Sequence, residues 1–265
     1  MQNTNKQKLP TIADILHDSW NYLMRFYKKF CLILVANIFV SSILILLFVG
    51  LVQSSSRTDA TSSFFLNFGA FFGVALFIAF FILLIQMLMN IMFIEFLGHT
   101  GQGELTLSQA FYKALTKLWS LILLSLLALF ITILASLAGN LITALLGTGI
   151  AVIQLNWIDV GFSVVDFIVG TITLFFIGIW LMFAPYVLIL EQTSVIDAIR
   201  ESYTLIQGRF GAVILRVILP YIVFFGIGAT IAFVPYIGPL IDIFLGPLIA
   251  VIYIFVLYKS LKNTK

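Results

Sequence analysis

The chain has 265 residues, of which 62% are hydrophobic and 9% charged, with a formal net charge of +3. Its mean hydropathy is +1.16; a water-soluble domain carries about 25% charged residues, so this composition excludes one. The single cysteine, Cys31, excludes an intramolecular disulfide and a CxxC metal site.

The first thirty residues are polar, with Asp14, His17 and Asp18 among them, and no cleavable signal peptide is expected there. Apolar segments then fall at 30–52, 68–94, 119–146, 162–190, 211–233 and 240–258. Bilayer hydrocarbon is ~30 Å thick and takes about 20 apolar residues per helical crossing. The segments are too long for barrel strands and lack the alternation that a membrane barrel needs. The predicted fold class is all-α, a polytopic membrane protein of about six transmembrane helices.

Taken in chain order, two-faced helices alternate with pairs of these segments. The first, TIADILHDSWNYLMRFYKKF, places Thr11 and Asp14 at capping-box spacing, where side-chain acceptors satisfy the free N–H groups of a helix start. Ile12, Ile15, Leu16, Ser19, Tyr22, Leu23 and Phe26 form its apolar stripe, opposite Asp14, His17, Asp18, Asn21, Arg25 and Lys28. Two apolar segments follow across a polar outer loop, 53–67, and they carry Asn37, Gln86 and Asn90 as neutral polar groups. Gly69 and Gly73 make a GxxxG contact face in the second of them. Glu95 and His99 then share a helix face, but HExxH is absent and the glycines of 98–104 lack the Lys-Ser/Thr of a phosphate loop.

The second two-faced helix, TLSQAFYKALTKLWS, has Thr106 and Gln109 at its cap. Leu107, Ala110, Phe111, Ala114 and Leu118 face inward, and Lys113, Thr116 and Lys117 face outward. The third, SVIDAIRESYTLIQGRF, has Ser194 and Asp197 at its cap, and Gly208 suits its C-terminal stop. Val195, Ile199, Ser202, Tyr203 and Ile206 form one face; Asp197, Arg200, Glu201, Thr204 and Gln207 form the other. Superposing the three caps brings Ser19, Ala114 and Ser202 into register. This predicts one membrane domain, 1–265, built from internal units at about 11–94, 106–190 and 194–258. Each unit is a cytoplasmic-side amphipathic helix, most comfortable in the membrane interface, followed by a hairpin of two spans.

Lys and Arg residues flank the same side throughout: Lys6, Lys8, Arg25, Lys28 and Lys29 early, Lys113 and Lys117 next, then Arg200, Arg209 and Arg216, and finally Lys259, Lys262 and Lys265. Only Arg57 falls in an alternate loop, so the bias places both termini on the cytoplasmic side of a plasma (inner) membrane, multi-pass.

Polar groups inside spans are costly, which makes Asn90, Asp166, Arg216 and Asp242 the candidate intramembrane polar residues. Asp166 and Asp242 fall near outer span ends, whereas Arg216 can snorkel inward and is expected to pair with Glu191 or Glu95. No nucleophile–base pair, metal set or cofactor motif accompanies them, so no enzyme, metal or cofactor is expected.

Residues 183–214, FAPYVLILEQTSVIDAIRESYTLIQGRFGAVI, carry Pro185, Glu191, Asp197, Ala198, Ser202, Gly208, Arg209 and Phe210. With Pro247 and Tyr258 in the closing span, they resemble the bacterial multi-span group of the glycerophosphoryl diester phosphodiesterase membrane domain and YciC-like proteins. In the fused phosphodiesterases hydrolysis belongs to a separate soluble barrel, so the resemblance implies no catalytic residue here. The expected function is a non-enzymatic, lipid-interacting structural or accessory role, with anionic headgroups on the cytoplasmic side as partners. Nucleic acid is not an expected partner; a second copy or another membrane protein is. The alternative is a transporter or channel with a polar path lined by Asp166, Asp242, Asn90 and Arg216.

Overall fold

In the computed structural model the described residues are 9–55, 64–99, 105–150, 156–232 and 237–264. They form eight helices and, among the described residues, no strand: α1 (Ile12–Ser55), α2 (Phe64–Gly98), α3 (Leu107–Ile150), α4 (Asn156–Leu181), α5 (Ala184–Glu191), α6 (Val195–Ile206), α7 (Phe210–Ala232) and α8 (Ile237–Asn263). Among the described residues, four stretches are long and apolar enough to cross a membrane: Ile12–Leu44, Ala75–Gly98, Leu107–Leu137 and Gly170–Glu191. Counting α6 with α7, which are bent by 93°, as one broken span gives a fifth. The sixth expected segment, 240–258, falls within α8.

Two of the three two-faced helices are not separate elements. α1 and α3 each run 44 residues, so the amphipathic turns pass directly into the apolar ones. The cause is local: no Gly or Pro lies between Ile12 and Phe48, nor between Leu107 and Leu137, and a helix with no breaker continues. Only the third two-faced helix is broken off. There Gly208 takes φ +78°, the left-handed region that an L side chain enters at a cost, and Arg209 leaves the helix before α7 begins.

Burial nevertheless returns to the same two register positions. Four residues after the cap residue stand Ile15, Ala110 and Ala198, all fully buried. Eight after it stand Ser19, Ala114 and Ser202, also buried. The stripe is narrower than its apolar residues suggested, since Leu16, Phe111 and Tyr203 are exposed while Leu205 is buried.

The chain groups into two compact units, whose boundaries run through helices. One comprises Met1–Ile12, Trp119–Ile227 and Ile254–Lys265; the other comprises Ala13–Leu118 and Gly228–Tyr253. In the first, α5 is buried nearly all round, through Ala184, Tyr186, Val187, Leu188 and Ile189, as a helix apolar on every face should be. The Tyr186 ring stacks on Tyr258, centroids 5.9 Å apart. In the second, Phe30 and Phe93 meet edge to face at 5.1 Å.

Candidate functional site

In the first unit the site grows from the break between α4 and α5. Pro185 has no N–H to donate to the Leu181 carbonyl one turn back, and α4 ends at Leu181. The Ser202 hydroxyl of α6 donates to the Trp180 carbonyl at 2.5 Å. This bond fixes α6 against the end of α4, and rings close the corner. Trp180 meets Tyr203 edge-on at 5.6 Å, and Phe176 stacks on Phe210 at 5.1 Å with an interplanar angle of 11°.

α6 itself is capped at both ends. The Ser194 hydroxyl accepts from the Asp197 N–H at 3.2 Å and donates to its carboxylate at 2.6 Å. Asp197 in the first turn also faces the positive end of the helix dipole. At the other end, the Gln207 and Arg209 N–H groups donate to Tyr203 and Ile206 carbonyls. The helix buries Ala198, Ser202, Leu205 and Ile206, yet leaves Ile196 71% and Tyr203 44% exposed beside the charged Asp197 and Arg200. An apolar edge next to a charged face is the arrangement that suits a membrane–water boundary.

Beside this corner, α4 and α7 leave a groove of about 540 Å³. Phe175, Gly178 and Met182 line one wall, and Val217, Tyr221 and Ile222 the other; no charged side chain is among the lining residues. The first wall is open at Gly178, where a Cβ would meet nothing within 4 Å. An acyl chain fits such a wall chemically, whereas a polar solute finds little but the Tyr221 hydroxyl to bond.

Charged groups in the same unit tie down chain ends. Glu191 accepts from the Tyr258 hydroxyl and pairs with Lys262 at 2.6 Å. Arg209 donates to the Thr264 hydroxyl at 2.5 Å and to its carbonyl at 2.8 Å. Arg216 bonds the Pro10 carbonyl through Nε at 3.1 Å and Nη2 at 3.0 Å, with a longer bond from Nη2 to Leu9. Its Nη1 donates to the Ala212 carbonyl at 3.0 Å.

In the second unit, Glu95 is 2% exposed near the C-terminus of α2. Lys117 hydrogen-bonds it, Lys113 stands 3.9 Å away, and His99 Nδ1 lies 3.5 Å from the carboxylate. The same Nδ1 is 3.0 Å from the Glu95 carbonyl, and Nε2 is 2.7 Å from the Lys113 ammonium. An ammonium can only donate, so Nε2 accepts and the ring proton sits on Nδ1. Lys29 donates to the Leu105 carbonyl at 3.1 Å and lies over the Phe96 ring. Thr106 and Gln109 exchange cap bonds at 3.1 and 3.4 Å, which starts α3 beside these groups.

The remaining sequence candidates are scattered. Asn90 is exposed on α2, and Gln86 bonds Asn37 at 3.5 Å. Asp166 lies in α4 and Asp242 in α8, with side chains outside the described residues, and the surroundings of Gly69 are also outside them. Arg57, most of the 98–104 turn and most of the outer 53–67 loop are also outside them. Thr11 precedes α1, and Asp14 is in its first turn. Among the described residues, no three His, Cys, Asp or Glu side chains gather to hold a metal. What sequence reasoning missed is that Lys113 and Lys117 both approach the Glu95 carboxylate. The only signal was the Lys113–Lys117 spacing of one helical turn, which by itself marks any solvated face.

Compared with family models, curated proteins and solved structures, the chain gives no match.

Proposed function

We propose that this chain is an integral inner-membrane protein that engages lipids in a structural or accessory role and has no catalytic step of its own. In this reading six spans form three hairpins, both termini are cytoplasmic, and the three two-faced segments lie at the inner boundary. The observation that carries it is α6: a short helix capped at both ends, charged on one face, apolar at an exposed edge, and turned 93° from α7. A helix continuing straight into α7 would carry its charges toward hydrocarbon; the bend keeps them at headgroup depth. The apolar groove between α4 and α7 supports the lipid half of the reading. The resemblance of residues 183–214 to the phosphodiesterase membrane-domain group supports the same class.

Reconstitution tests it. Native mass spectrometry of the detergent-purified chain should show retained phospholipid, and vesicles carrying the protein should pass ions and small solutes no faster than empty ones. Solute flux that disappears when Asp166 and Asp242 are neutralised, with no retained lipid, would replace this reading by transport.

A further inference from the structure

We propose that α6 is a phosphate-contacting surface for the inner leaflet, with the Arg200 guanidinium against the phosphate of an anionic phospholipid and the Ile196–Tyr203 flank among the upper acyl carbons. The inference rests on the membrane reading above and assigns to α6 one orientation and one polar contact within it.

The sides of the helix are the first argument. At about 100° per residue, the buried Ala198, Ser202, Leu205 and Ile206 share one side of α6, and the exposed Arg200 stands roughly opposite their middle. Ile196 and Tyr203, 71% and 44% exposed, border Arg200 on one flank, a turn before it and a turn after. Asp197 and Glu201 border it on the other flank. The Asp197 carboxylate accepts from the Ser194 hydroxyl, and among the described residues Arg200 has no ion pair. An arginine at this position lays its apolar stem along the Ile196–Tyr203 flank. Its planar fork then reaches two oxygens of one phosphate.

Level is the second argument, and it selects lipid over free phosphate. α6 is turned 93° from α7, so where α7 crosses the bilayer α6 lies along its surface, and Ile196, Arg200 and Tyr203 share one depth. Trp180, in the last turn of α4 and 40% exposed, meets Tyr203 edge-on at 5.6 Å. Exposed Trp and Tyr side chains mark the headgroup level, where lipid phosphates are. The surface thus sets an exposed apolar flank beside a guanidinium, and a phospholipid offers acyl carbon and phosphate side by side to match both. The acidic flank is left to water.

The full-length protein in detergent is titrated with phosphatidylglycerol, and separately with phosphatidylcholine of the same chains, and bound lipid is counted by native mass spectrometry. Arg200 is exposed, so replacing it leaves the buried face of α6 intact. Arg200→Gln should weaken phosphatidylglycerol binding about fivefold and leave phosphatidylcholine, whose ammonium offsets its phosphate, unchanged. Arg200→Lys, which keeps the charge, should bind phosphatidylglycerol more tightly than Arg200→Gln. Glu201→Gln adds as much positive charge to α6 as Arg200→Gln removes, but on the flank facing water, and should bind as the wild type does. A gain in Glu201→Gln as large as the loss in Arg200→Gln would mean that net charge alone is read and would overturn the contact. Displacement of the lipid by inorganic phosphate at constant ionic strength would overturn the lipid assignment in favour of a soluble anion. A wild-type chain that retains neither lipid would sink the contact together with the reading it rests on, whereas phosphatidylglycerol held equally by the wild type and Arg200→Gln sinks the contact alone.

Discussion

Ser202 shows how much one hydroxyl can decide. At the same register in the second two-faced segment stands Ala114, so a small side chain is all that close packing requires there. Ser202 adds a bond across to the Trp180 carbonyl, next to the C-terminus of α4. Replacing it by alanine keeps the packing and removes only that donor, which for a part-buried hydrogen bond costs about 0.5–1.5 kcal/mol. Ser202→Ala should lower Tm in detergent by several degrees, while Ser108→Ala on an exposed turn should not change it. Equal Tm values for Ser202→Ala and the wild type would show that Ser202 contributes as a small residue only. Gln192 is the converse case. It holds φ 55° after α5 without being glycine, a conformation that costs a bulky L residue roughly 1–2 kcal/mol. Gln192→Gly should therefore raise Tm if the lost strain exceeds the gain in unfolded-state freedom; a lower Tm would show that the Gln192 side chain contributes more than its strain costs.

At the scale of elements, the contrast is between α6 and the opening turns of α1 and α3. Cap bonds are present at α3 and α6, and all three segments bury small or apolar residues at the same register. α6 alone is detached, because Gly208 and Arg209 interrupt it, whereas nothing interrupts the others. Under the proposed function the exposed apolar edge of α6 rests on the membrane, and each aliphatic side chain buried there would be worth roughly 1.5–3 kcal/mol. Ile196→Asp removes one such contact without touching the buried face. Fluorescence of a probe at Arg200→Cys, in a Cys31→Ser background, should shift toward that of water in the Ile196→Asp variant. An unchanged, apolar spectrum would place α6 in a protein-lined site instead of at the boundary. The caps are legible in sequence because they act over three residues: Thr106 with Gln109, and Ser194 with Asp197, need no tertiary partner.

For the whole molecule, orientation is the property with the clearest test. Lysines and arginines that neighbour α6, the start of α3 and the end of α8 should all face one side. With Cys31 replaced by serine, single cysteines at Ser55 and Arg200 should react with an impermeant maleimide from opposite sides of sealed vesicles. Labelling of both from one side would refute the two-termini-inside arrangement. The long-range ties belong to this scale too. Arg216 reaches back to Pro10, Glu191 to Tyr258 and Lys262, and Arg209 to Thr264, so chain ends are held by residues far away in sequence. The expectation that Arg216 would seek Glu191 or Glu95 followed from shared depth; among the described contacts, Arg216 donates to the Pro10 and Ala212 carbonyls, Glu191 pairs with Lys262 and Glu95 with Lys117.

The chain alone determined its helical, apolar character, the places where helices can start, and the register of buried small residues, since each follows from composition or from spacings within a turn or two. Tertiary structure decided which charges meet, that α6 alone is turned away while α1 and α3 run on, and that a groove opens beside Gly178. Those features depend on groups separated by tens or hundreds of residues, whose proximity is set by how helices pack and not by anything local spacing encodes.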